Sequence, residues 1–272
     1  MEANDANGNV LASAADDGKK PFRRGSAFAF ACVVAASGIG VVSFPNSSDA
    51  AGVPGPFVNA KDGGVEPPWI DGCHEQVAQP FLVRGNWFPE NASAEELKAA
   101  KEMQERAIRY RTEKYGFFPG FGKKEWNPKA PSASAVGTTF MGLPIDVHRR
   151  IVPALRCVER ALKARPELLD YHPVGLSGIR AKNTYRGGEV SNHVYGIAID
   201  IDPHLNTCCG CVGKWARHPL CKVKNRTPYE RMAMPRGWVE VFEQYGFYWL
   251  GHDALQDTMH FEFLGDPDRI ER

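Results

Sequence analysis

Two short stretches of this chain hold side chains able to do chemistry together. The first is Ser191-Asn192-His193-Val194-Tyr195-Gly196-Ile197-Ala198-Ile199-Asp200, and the second, well downstream, is Asp257-Thr258-Met259-His260-Phe261-Glu262. A zinc ion that performs hydrolysis keeps three protein ligands and one open position, and histidine nitrogen and carboxylate oxygen are typical donors. His193, Asp200 and His260 supply that count. Asp257, close before His260, is the candidate general base, because zinc lowers the pKa of a bound water to about 7 and a neighbouring carboxylate can take its proton. A lone histidine on a strand is more often just hydrogen-bonded, so the joint spacing carries the metal reading.

Such ligands need rigid carriers. Ile197 and Ile199 alternate with Ala198 and Asp200, which predicts a strand with Asp200 on the face opposite the isoleucines. An Asp in so apolar a strand needs a partner or a metal, because an unpaired buried carboxylate is costly. In the last strand His260 and Glu262 face one way and Met259, Phe261 and Phe263 the other. Gly196 lets the backbone bend between His193 and its strand.

Further β-like runs are Val174–Ile179 and Phe247–Leu250. One helix is predicted over Ser93–Tyr115, with a Ser93/Glu96 capping box and Leu97, Ala100, Met103, Ala107 and Tyr110 on one face. A second is predicted from Asp146 as N-cap to Arg165, with Val147, Ile151, Leu155, Val158 and Leu162 inward and Pro153 kinking it or delaying its start. A short third helix lies around Pro235–Tyr245, with Trp238, Val241, Phe242 and Tyr245 inward. Residues Phe117–Thr139 read as loop. Helices and short strands without regular βαβ alternation predict an α+β domain with a small antiparallel sheet.

Lys plus Arg number 33 against 32 Asp plus Glu, a formal charge of +1, so no global field recruits nucleic acid. The uncharged run Ser26–Phe44 follows Lys19, Lys20, Arg23 and Arg24 and precedes Pro45, which is the layout of an export signal or a retained membrane anchor. Either places the rest of the chain outside the cytoplasm, secreted, periplasmic or anchored. Apart from Cys32 in that run, six cysteines remain: Cys73, Cys157, Cys208, Cys209, Cys211 and Cys221. An even number suits disulfides in an oxidising compartment, with the pairing open. A second zinc site at Cys208, Cys211 and Cys221 is the competing reading. The expected organisation is a signal or anchor over 1–45, a linker and one-helix extension over 46–135, and the zinc domain over 136–272.

At the two motifs the chain resembles the M15 family of zinc peptidases, which includes D-alanyl-D-alanine carboxypeptidases and L-alanyl-D-glutamate endopeptidases. The resemblance covers about Pro144 to Phe263 and implies a hedgehog/D-Ala-D-Ala peptidase-like fold. It implies zinc bound by His193, Asp200 and His260, and Asp257 as base. Many members have Glu at the base position and Trp before the late His; Asp257 and Met259 resemble the endopeptidase branch. Ser177-Gly178-Ile179-Arg180 is similar to the family's Ser-Gly-Tyr-Arg string, which implies that Arg180 holds substrate and stabilises a developing oxyanion. Ser191 is expected to orient a ligand or substrate through its hydroxyl, and His252 to touch substrate, with His204 and His218 as rim residues. The expected activity is hydrolysis of peptidoglycan stem peptides at a bond near a D-residue. A non-catalytic zinc module that binds cell-wall peptide or protein is the alternative, and loss of Asp257 or Arg180 would favour it. The oligomeric state, the bond cleaved, and endopeptidase versus carboxypeptidase action stay open.

Overall fold

The computed structural model describes residues 70–84, 92–184, 190–211, 213 and 215–271. The export-like run, the linker expected up to Pro68, and Trp69, Trp87 and Tyr185 lie outside them. Helix α1 spans Ala94–Tyr115, opened by the expected box: Glu96 N–H donates to Ser93 Oγ at 3.2 Å and Ser93 N–H to Glu96 Oε2 at 2.7 Å. Its covered face begins one turn later than the pattern suggests. Leu97 is 42% exposed, while Ala100, Ala107, Arg111, Thr112 and Tyr115 are buried.

The expected second helix is corrected at its start. Residues Ala135–Phe140 (β1) and Leu143–His148 (β2) form an antiparallel hairpin, with Asp146 opposite Gly137 in mid-strand. The turn between them, Met141-Gly142, has both φ angles positive, the geometry of a tight two-residue hairpin. Ile145 and Val147 are buried while Pro144 and Asp146 are exposed, so the period here is two. Helix α2 is confined to Val152–Lys163, with Pro153 in its first turn, where no intrahelical donor is needed. Its apolar face, Ala154, Leu155, Cys157, Val158, Ala161 and Leu162, is buried.

A second sheet, antiparallel throughout, has the order β3-β4-β6-β5: Leu176–Ser177, Ala198–Ile201, His260–Phe263 and Phe247–Trp249. Helix α3, Arg236–Gln244, is apolar on the predicted side; Trp238, Val241, Phe242 and Tyr245 are all buried. Phe242 stacks on Phe261 at 4.2 Å between ring centroids, so α3 covers the aromatic face of the sheet. The opposite face carries Asp200, His260 and Glu262. The class is therefore α+β with small antiparallel sheets, as expected.

Three disulfides join Cys73 to Cys157, Cys208 to Cys211 and Cys209 to Cys221. This pairing overturns the second zinc site at Cys208, Cys211 and Cys221, whose sulfurs are divided between two covalent bonds. Disulfides persist in oxidising compartments, in keeping with a chain outside the cytoplasm. Among the described residues no helix is long and apolar enough to cross a membrane.

Candidate metal centre and active site

His193 sits in a 3-10 turn, Asn192–Tyr195, whose N-cap is Ser191; the Ser191 hydroxyl accepts from His193 N–H at 3.4 Å. Ser191 thus caps the turn that carries His193 from a buried position. Gly196 ends the turn at φ +70°, a conformation in which a side chain is strained, and an added Cβ would stand 2.7 Å from His148 N. The chain then enters β4, which carries Asp200. Antiparallel register sets Asp200 directly opposite His260 on β6. Local pattern and register together bring the three predicted ligands to one point.

The contacts there are His193 Nε2 to Asp200 Oδ1 at 3.2 Å, His193 Nε2 to His260 Nδ1 at 3.2 Å, and His260 Nδ1 to Asp200 Oδ1 at 2.8 Å. All three residues are buried, and their ligand atoms lie within 4.8 Å of one another. In a tetrahedral zinc site with bonds of about 2.0–2.1 Å, ligand atoms stand about 3.3 Å apart, close to this triangle. The donor chemistry agrees. His193 Nδ1 faces the Gly178 carbonyl at 2.6 Å, which fixes the proton there and leaves the Nε2 lone pair pointing inward. Two inward lone pairs at 3.2 Å repel unless a positive charge lies between them.

The electrostatics express the same demand. Burial by itself raises the Asp200 carboxyl, yet its bonds to His193 and His260 hold it well below the usual range. Burial lowers His193, while Asp200 and Glu262 outweigh burial at His260 and push it up to about 10. The carboxylates around His260 thus favour positive charge at the centre, which either a proton or a metal ion can supply. The residues present fit a zinc ion.

Around this triangle stand further groups. Arg180 donates its backbone N–H to the His193 carbonyl at 3.0 Å, and its guanidinium pairs with Asp200 Oδ2. The Arg180 side chain is 35% exposed. A recess of about 550 Å³ between the β1–β2 hairpin and β3 extends to its neighbour Ile179. Asp257, bonded through its carbonyl to His260 N–H at 3.4 Å, has a buried Oδ1 without a hydrogen-bond partner in the structure. Burial pushes its carboxyl up to about 7. His252 is exposed, with Nε2 facing Glu243 at 2.8 Å. His218 Nε2 contacts the His204 carbonyl at 3.2 Å, within the loop after β4.

Two residues given no role in the sequence reading stand behind His260. Its Nε2 contacts Glu262 Oε1 at 3.1 Å, and the same oxygen pairs with Arg84 at 2.7 Å. The alternation in β6 placed Glu262 beside His260, and that was the available signal. Nothing in the sequence around Arg84 points to the site.

A sheet face that gathers two imidazoles and a carboxylate, with a second carboxylate alongside, defines a candidate metal centre of the hydrolase class. Residues 185–263 match the family model described as D-alanyl-D-alanine carboxypeptidase, so over that stretch the chain is similar to M15-family peptidases. The matched stretch is less than half of the chain and includes His193, Asp200, Asp257 and His260 but neither Arg180 nor Arg84. Comparison with curated proteins and with solved structures gave no match.

Proposed function

We propose that the protein is a zinc peptidase that hydrolyses a peptide bond in peptidoglycan stem peptides, next to a D-residue, outside the cytoplasm. The observation that carries the reading is the convergence of His193 Nε2, Asp200 Oδ1 and His260 Nδ1, with Asp257, whose buried Oδ1 has no hydrogen-bond partner, near enough to feel the charges of His260 and Asp200. His193, Asp200 and His260 would hold a zinc ion, which would supply Lewis-acid chemistry at the scissile carbonyl and lower the pKa of water there. Asp257 is the general base of the reading, a carboxyl that could accept a proton from an attacking water and return it to the departing amine; burial, which pushes it up to about 7, suits both roles. Arg180 keeps Asp200 oriented and offers its remaining donors to the substrate carbonyl, where negative charge develops. Peptide-chain atoms flanking the bond lie along the recess next to Ile179. The N-terminal region, as a cleaved signal or retained anchor, delivers the domain to the wall.

A binding module would need the zinc ligands but not a nearby carboxylate with a buried oxygen left without a partner, so Asp257 favours hydrolysis. The test is digestion of purified peptidoglycan by the wild type and by Asp257→Asn, with fragments read by mass spectrometry and bound zinc assayed in both. Fragments from the wild type alone, with equal zinc in both, are expected. Zinc without fragments from either protein would point to the binding module, and equal fragments from both would remove Asp257 as base.

A further inference from the structure

A metal-binding histidine needs its second ring nitrogen held, because that bond sets which nitrogen carries the proton. His193 has the Gly178 carbonyl for this purpose. His260 has Glu262: with Oε1 as acceptor at 3.1 Å the proton belongs on Nε2, and the Nδ1 lone pair faces Asp200 Oδ1 and His193 Nε2. Glu262 is itself 1% exposed, so its negative charge needs a partner. That partner comes from far away in sequence. Arg84 Nη2 reaches Glu262 Oε1 at 2.7 Å, and the two side chains are 8% and 2% exposed.

The segment delivering Arg84 is fixed to the continuation of the ligand strand. Gln79 N–H donates to the Leu264 carbonyl at 3.0 Å, and Gln79 Nε2 to the Leu264 and Gly265 carbonyls at 3.2 and 3.0 Å. Leu82 and Val83 are buried, and Arg111 of α1 donates to the Leu82 carbonyl at 3.2 Å. Cys73, earlier on the same segment, is bonded to Cys157 of α2. Arg84 is thereby held in register with β6.

We infer that Arg84, acting through Glu262, is a positioning residue for His260, so that the arm preceding the matched family segment completes the metal centre. The inference rests on the zinc reading of the preceding subsection. It makes the arm a working part of the site, since loss of Arg84 leaves Glu262 free to turn away from His260 and the ring free to rotate. Metal affinity is then lost without any change in the three ligands.

The test uses the full chain as wild type, Glu262→Gln, Arg84→Met and Arg84→Lys. Zinc dissociation constants come from chelator competition, cobalt(II) absorption reports ligand geometry, and circular dichroism and melting of the metal-free proteins report folding. Removal of such supporting partners weakens metal binding about 10–100-fold, and a rise of that order is expected for Arg84→Met, about 10-fold for Glu262→Gln, with altered cobalt bands. Arg84→Lys restores part of the loss. A purely structural ion pair would lower the metal-free melting temperature and leave zinc affinity and cobalt bands unchanged, which overturns the inference while the zinc reading stands. Should Arg84→Met not fold, unchanged affinity in the isosteric Glu262→Gln overturns it alone. A wild type that binds neither ion overturns both readings.

Discussion

Asp257 illustrates how a single side chain acquires a role from its surroundings. Its carboxyl is pushed up to about 7 by burial, and a dication bound at His193, Asp200 and His260 would draw it lower. The kcat/KM profile should therefore rise with pH through an inflection at or below about 7, and Asp257→Asn should flatten that limb and lower kcat by roughly 10²–10⁴-fold. On the proposed reading, in which Arg180 donates to the substrate carbonyl, Arg180→Met should reduce kcat more than zinc content; loss of one such donor costs about 10²–10³-fold. His148 gives a stability prediction. Burial first, then Arg150 and Arg149, hold its imidazole down at about 4, and it accepts the Arg150 N–H through Nδ1 at 3.2 Å. The folded pKa lies below the unfolded value of about 6.5, so the stabilisation is present above that value and is lost as pH falls towards 4. The full loss is on the order of 3 kcal/mol. Melting of the metal-free protein between pH 7.5 and pH 4 checks this, and His148→Asn should weaken the dependence. The ligand triad was legible from residue types and spacing, because strand alternation and the turn before it are local. Arg84 was not, because its significance arises only when a distant segment folds against β6.

At the scale of elements, the loop after β4 is more than an insertion. Cys208 forms a backbone bridge with Asp257, Thr207 accepts both Thr258 N–H and Thr258 Oγ1–H, at 2.7 and 2.9 Å, and Gly210 N–H donates to Leu255 at 2.6 Å. The Cys208–Cys211 bond holds that loop over the turn bearing the proposed base. Replacing both cysteines by serine should lower kcat by about 10-fold or more, with zinc content and far-UV circular dichroism unchanged. An unaltered kcat would make the loop mere decoration. The β1–β2 hairpin shows where element prediction failed and why. Val147 and Ile151 are four residues apart, as a helix requires, but Pro144 to His148 also alternate, and pairing with β1 decided for the strand. Such a choice depends on a partner strand, itself hidden in a stretch of loop-like composition. The aromatic helix α3 was read correctly because its apolar stripe is a property of one contiguous segment.

Among the described residues, the segment 70–84, α1 and the four-stranded sheet are bound into one structure. Cys73 and Cys157 are 84 residues apart in sequence, and a crosslink closing so long a loop is worth about 2–5 kcal/mol. The double variant Cys73→Ala/Cys157→Ala should melt several degrees lower and, by loosening the arm, also bind zinc more weakly; unchanged affinity would confine the disulfide to stability. The sequence by itself determined the three residues that converge, the candidate base, the α1 cap, the α+β class and the disulfide-compatible setting. Each of these is written in residue type or short-range periodicity. Only tertiary structure decided the sulfur pairing, the strand at Leu143–His148 and the attachment of Arg84 to His260 through Glu262. Those depend on which distant segments meet, and contacts across such separations leave no local trace in the order of residues.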